Sequence, residues 1–279
     1  MKKIFLIAFC PLIAFGAPKG SSLSEISVDI RMDESQYVLG ERLRGVVDVK
    51  NMSPNRLRVG YDDSPDKVLV EVFRASDMKQ LQRKRDSGRM VAEFTLKTNE
   101  GLKLEVLLGN HYVLTEPRRY LVRPILIHNG FRYEGAYRVF EIVPGIEISK
   151  AMQMFSNGSG KERRFSLLQW TRRGVDHLFV AACDEGGGKR SLGTVDVGAM
   201  LKATPPTISI LENGMVIVIH RNGVDSFVRS EFWSLPDVLK LKNRMLVADP
   251  ATAAQNRVRE LYKEGGGVKP EARPWWKIW

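Results

Sequence analysis

The sequence predicts a mainly β protein in two parts, an antiparallel sandwich followed by a smaller antiparallel β domain, with a short C-terminal helix. Three observations carry that prediction. Apolar residues alternate with period two in many short segments of the first half. Asn-Gly turns punctuate the second half. A proline-started, alanine-rich segment near the end has helical spacing. At 43% hydrophobic and 27% charged residues, the composition is that of ordinary globular chains.

The chain opens MKKIFLIAFCPLIAFGAPKG. Lys2 and Lys3 form a positive region, 4–15 is apolar apart from Cys10 and Pro11, and small residues follow. That order is a secretory signal, and the apolar run falls short of the ~20 residues that span a bilayer. Cleavage after Gly16 places Ala14 and Gly16 at the two small-residue positions, so 1–16 is expected to be a signal peptide and Ala17 the first mature residue. The expected location is periplasmic or extracellular, with no transmembrane helix after signal removal. Phe9 before Cys10, with apolar sequence continuing beyond it, does not fit a lipid-modified cysteine. Once Cys10 leaves, Cys183 is the one cysteine remaining, so stability must come from an apolar core.

Residues 24–146 form the expected first domain. In 24–32, Ile26, Val28, Ile30 and Met32 point one way, as in a half-buried strand. Similar segments recur at 43–50, 67–74, 90–96, 102–107, 119–127 and 136–143, separated by turn clusters at 51–55 and 62–66. Seven or eight strands in about 120 residues is the size of an immunoglobulin-type (Ig-like) sandwich.

Two stretches carry a resemblance. Tyr37-Val38-Leu39-Gly40-Glu41 leads into a strand that ends at Asn51-Met52-Ser53. Glu116-Pro117-Arg118-Arg119-Tyr120 leads into a late strand, with Arg118 where such sequences usually place glycine. This resembles bacterial Ig-like sandwiches and is similar to BsuPI-type proteinase-inhibitor and macroglobulin-type domains, over 24–146 only. The resemblance implies a tyrosine corner at Tyr120, whose hydroxyl bonds back to nearby backbone. It also implies protease inhibition as one function, for which the long charged segment 75–89 is the first loop to consider.

Residues 161–248 form the expected second β domain, after a polar break at 156–160. Segments 165–170 and 177–183 read as strands around Arg172-Arg173-Gly174. Strands at 207–211, 215–220 and 225–230, joined by Asn213-Gly214 and Asn222-Gly223, read as a three-stranded antiparallel meander. Short helical turns are expected at 197–201 and 235–241.

Asp249-Pro250 starts the expected helix over 249–264, with Asp249 as N-cap and Gly265 ending it. A glycine-linked aromatic tail, 265–279, follows. Trp275, Trp276 and Trp279 are three of the chain's five tryptophans. Indoles of this kind need cover, either by docking on the chain's own β domains or as an anchor in a partner's groove, on sugar rings or at a membrane interface.

No motif assigns a catalytic residue or a metal ligand, and no cofactor is implied. His111, His128, His177 and His220 show no metal spacing. The segment 186–189, Gly-Gly-Gly-Lys, lacks both the earlier glycine and the following hydroxyl of a phosphate loop. Asp62, Asp63 and Asp66 do not match a defined calcium loop.

The formal charge of +11 favours acidic partners in general. It is densest at Lys79, Arg83, Lys84, Arg85 and Arg89, interrupted by Asp86, which reads first as a solvated face. Basic residues beside an aromatic, as in Trp170-Thr171-Arg172-Arg173, could stack on nucleic acid, but they match no recognised module, so nucleic acid is not the expected partner.

The expected function is therefore an exported, noncatalytic binding or structural protein of the cell envelope, engaging a protein or glycan there. Trp275, Trp276, Trp279, Arg83, Lys84 and Arg85 are the candidate binding residues. The alternatives are protease inhibition through the sandwich, or a hydrolase with an inter-domain site near Cys183, His177 and Asp184.

Overall fold

The computed structural model describes residues 25–61, 65–154, 162–185 and 190–249. The expected signal peptide, the helix beyond Asp249, the aromatic tail with Trp275, Trp276 and Trp279, the 156–160 break, the 186–189 loop, and Asp62 and Asp63 all lie outside those residues. The described chain is mainly β, in antiparallel sheets with one parallel pair. Among the described residues no helix is long and apolar enough to cross a membrane.

The first unit runs β1 (Ile26–Met32), β2 (Gln36–Val38), β3 (Arg44–Asn51), β4 (Leu57–Val59), β5 (Lys67–Arg74), β6 (Phe94–Leu96) and β7 (Glu100–Leu107). A single helical turn, α1 (Leu108–His111), follows, then β8 (Arg118–His128), β9 (Phe131–Glu134) and β10 (Arg138–Val143). One sheet is ordered β1-β3-β7; another is β2-β10-β8-β5 with β9 on β8; β4 and β6 form a small pair. Strand β2 lies parallel to β10, Ile142 opposite Tyr37.

Period-two alternation does the sorting. Ile26, Val28 and Ile30 of β1 face inward with Val47 and Val49 of β3, and meet Val68, Val70 and Val72 of β5 and Val122 of β8 in one core. Each such side chain contributes about 1.5–3 kcal/mol by leaving water.

The motif residues secure backbone. Asn51 is fully buried; its amide donates to the carbonyls of Asn55, Leu96 and Lys97, and its oxygen accepts from the Ser53 hydroxyl at 2.7 Å. Tyr120 Oη donates to Glu116 O at 3.0 Å, the back-bond anticipated from sequence. Tyr37 Oη donates to Arg44 O at 3.0 Å, and burial pushes this phenol up to about 12, so it stays a neutral donor.

The second unit begins at β11 (Ile146–Met154), upstream of the predicted 161, because β11 pairs with the next strand, opposing Ala151 to Phe165. It continues with β12 (Glu162–Arg172), β13 (Val175–Asp184) and β14 (Arg190–Ala199), which complete a four-stranded sheet. A second four-stranded sheet holds β15 (Thr207–Ile210), β16 (Met215–Arg221), β17 (Phe227–Ser234) and β18 (Leu239–Val247). Phe165, Leu167, Leu178 and Val180 from one sheet pack with Val216, Val218 and Phe232 from the other.

The predicted meander is present, extended by a fourth strand. The helical turns expected at 197–201 and 235–241 are absent. Residues 197–199 belong to β14, and 239–241 begin β18, where the ladders to β13 and β17 satisfy the backbone. Both ladders carry a bulge, which breaks the alternation that would have marked these edge strands.

His220 is buried in this unit, its Nε2 at 3.2 Å from Ala199 O. Burial pulls its pKa below the ordinary 6.5. The fold therefore favours the neutral ring, and its contribution is lost as pH falls below 6.5. The melting temperature is expected to drop between about pH 7 and about pH 5, and less steeply in His220→Gln. Identical slopes in parent and variant would remove His220 from the acid response.

Candidate functional site

The two units meet on the outward face of the β11–β14 sheet. Residues of β12 and β13 that point away from the core oppose one another as Leu168 with Phe179, Ser166 with Ala181, and Arg164 with Cys183. On β14, Thr194 lies opposite Ala181 and Ser191 opposite Cys183. Large residues thus occupy one end of the face and small ones its middle. Val38 of β2 and Val143 of β10 cover the large end, packing with Leu168 and the fully buried Phe179.

The small residues leave a cleft of about 610 Å³. Ser166, Ala181, Cys183 and Thr194 form one wall; Leu39, Leu114 and Pro144 of the first unit form the other. Ser166 Oγ donates to Glu147 Oε2 at 2.6 Å, and Arg164 pairs with Glu185 at 3.1 Å. The cleft is therefore largely apolar with a few fixed polar groups at its margin.

A backbone seam closes one side. Thr194 N donates to Gly40 O at 2.9 Å, and Thr194 Oγ1 donates to Leu39 O at 2.6 Å. Gly40 has φ +89°, and a Cβ there would stand 2.7 Å from Thr194 Oγ1, so only glycine fits. A second cleft, about 660 Å³ and lined by Arg42, Leu192, Val238 and Leu241, lies across the seam, with Gly40 and Thr194 common to both linings.

Beyond the seam sits an ionic clasp. Arg172 donates to Glu41 Oε2 at 2.7 Å, to Gln36 O at 3.2 Å and to Asp196 Oδ2 at 3.1 Å, with its guanidinium 5.0 Å above the Phe179 ring. The side chains of Arg172 and Glu41 are each 10% exposed. Glu41 also accepts from Val38 N. Burial raises its carboxyl above the ordinary range, and Arg172 offsets part of that. His177 Nδ1 lies 3.0 Å from Asp196, and Trp170 Nε1 donates to Gln36 Oε1 at 3.3 Å.

The residues of the hydrolase alternative are not brought together. Cys183 lines the cleft, its Sγ 3.5 Å from Asp184 O. His177 lies six residues away on the same strand, about 20 Å along it, and is held by Asp196. Asp184 pairs with Arg163 at 2.6 Å.

Asp66, considered for calcium, is buried and takes His128 Nδ1 and Asn129 N. Arg83, Lys84 and Arg85 lie together on the 75–89 loop, and none of them lines the cleft. Sequence reasoning missed Arg172, Glu41, Gly40 and Thr194 as a group. Glu41 and Arg172 are 131 residues apart, and only the Gly-Glu turn and the Arg-Arg-Gly hairpin marked their neighbourhoods.

No family profile matches the chain, and no curated protein matches it. Solved structures similar to it include the following two. The alkylpurine DNA glycosylase AlkC of Pseudomonas fluorescens, bound to DNA containing an abasic site analog, is 15% identical over 42% of this chain and 30% of that chain, with a TM-score of 0.29. The sporulation control protein Spo0M of Bacillus subtilis is 12% identical over 87% of this chain and 98% of that chain, with a TM-score of 0.30. Scores this low leave the reading of the site to its own geometry.

Proposed function

We propose that the chain is an exported, noncatalytic binding protein of the cell envelope, whose ligand, a protein segment or a glycan, seats in the cleft between the two units. One observation carries the reading: a cleft of about 610 Å³ with an apolar wall and a polar margin, built where two β units meet. Ligand sites favour such junctions and volumes of roughly 300–1,000 Å³. The first sixteen residues, with their positive start and apolar core, support export. The shared core of the two larger N-terminal sheets supports an Ig-like sandwich for the first unit.

Ala181→Trp tests the seat, since the indole fills the cleft from the middle of its wall. Titration calorimetry with extended peptides and with envelope oligosaccharides is expected to find one class that binds the parent. The variant should bind that class at least about 100-fold more weakly, a loss of roughly 3 kcal/mol, with its circular dichroism unchanged. Equal binding by both proteins, or binding of neither class by the parent, rejects the cleft as the seat.

A further inference from the structure

The 75–89 loop presents positive charge that the fold does not consume. Neighbouring arginines are paired: Arg74 with Asp77 at 2.9 Å, Arg89 with Glu93 at 3.7 Å, and Arg118 with Glu116. Among the described residues, Lys79, Arg83, Lys84 and Arg85 have no carboxylate partner. Asp86 is the one acid interleaved with them.

The loop is held in place. Phe73 bridges to Gln80, Leu81 N donates to Val72 O at 2.8 Å, and Lys84 N donates to His111 O at 2.9 Å. Arg83 Nε donates to Ser87 Oγ at 2.8 Å, and Lys84 Nζ donates to Gly109 O at 2.6 Å. Their charges converge on His111, which is buried with Nδ1 lacking a partner among the described residues. Its pKa is pulled below the ordinary value by burial first, then by Arg83 and Lys84.

Apolar groups stand beside the charges. Met78, at the loop tip with φ 55°, is 49% exposed, and Val113 is 63% exposed and lines one shallow cavity with Lys79.

We infer that this face of the first unit docks on an anionic phospholipid surface, with Lys79, Arg83, Lys84 and Arg85 at the phosphates and Met78 and Val113 at the apolar boundary. Charge complementarity selects the occupant. Basic groups spread along an exposed loop suit an array of phosphates, and exposed apolar side chains among them suit a lipid boundary rather than a free ion. The inference is independent of the cleft, so Ala181→Trp should leave it unchanged.

Vesicle co-sedimentation is the test. Purified protein should partition onto vesicles of phosphatidylglycerol with phosphatidylcholine, less at high salt, and not onto phosphatidylcholine alone. Arg83→Gln/Lys84→Gln/Arg85→Gln should weaken partitioning about 100-fold, taking about 1 kcal/mol per charge. Lys79→Gln/Arg85→Gln guards against misfolding, because neither side chain holds the loop; it should weaken partitioning about 30-fold.

Anionic vesicles should also raise the His111 midpoint followed by NMR, since bound phosphates offset Arg83 and Lys84. Equal partitioning of parent and both variants overturns the inference. So does binding to inorganic phosphate or to polyglutamate that matches binding to the vesicles.

Discussion

Arg172→Ala is expected to cost about 3–5 kcal/mol and to release the two β units from one another. Removing one member of a buried pair strands the other, here Glu41, as an uncompensated charge. Arg172 also donates to Gln36 O and Asp196 and covers Phe179, so no other side chain replaces it.

Glu41→Gln should behave differently. Burial already raises the Glu41 carboxyl, so the fold favours its neutral form, and an amide keeps an acceptor for Val38 N. Its cost is expected to stay within about 1 kcal/mol. The same reasoning fixes a pH dependence. The stability Glu41 contributes is full below its ordinary pKa near 4.5 and is lost as pH rises through the raised value. The Arg172→Ala deficit should therefore shrink as pH falls toward 4.5, where Glu41 takes up a proton. Urea denaturation at about pH 7 and about pH 4.5, with small-angle scattering to follow unit separation, reads both effects. A Glu41→Gln deficit as large as that of Arg172→Ala would show attraction outweighing desolvation.

Phe179→Ala should also cost about 3–5 kcal/mol, but with a different signature. Phe179 is fully buried between the units, against Val38, Val143 and Leu168. Phe165 is equally buried, inside the second unit's own core. Truncating Phe165 should lower one cooperative transition. Truncating Phe179 loosens the junction, so calorimetry should resolve two transitions, one per unit. A single transition in Phe179→Ala would mean that the ionic clasp and the seam suffice to couple the units.

Much of the fold was legible because burial writes itself as alternation. Ile26, Val28 and Ile30 declare a strand with one wet face, and Asn213-Gly214 declares a hairpin. Tyr120 could be assigned its back-bond because both partners lie within one turn. Strands β2, β4 and β9 have only three or four residues, too few to alternate visibly. β14 and β18 were misread in part because bulges shift their register. The site was the least legible part. A cleft is written by small residues, and Ser166, Ala181 and Thr194 mean nothing until three strands set them side by side. Arg172 and Glu41 look like ordinary surface charges in sequence, since the burial that distinguishes them comes from the other unit.

That dependence bears on how such a chain can be recombined. Glu41 is paired by Arg172 of the neighbouring unit, and Val38 and Val143 are covered by Leu168 and Phe179, with Trp170 and Ala181 packed alongside. A first unit transplanted alone would lose the counter-ion of Glu41 and bare the apolar patch of Val38 and Val143. The two units are thus obligate companions: a viable chimera must exchange both together, or redesign positions 38, 41 and 143 at the cut.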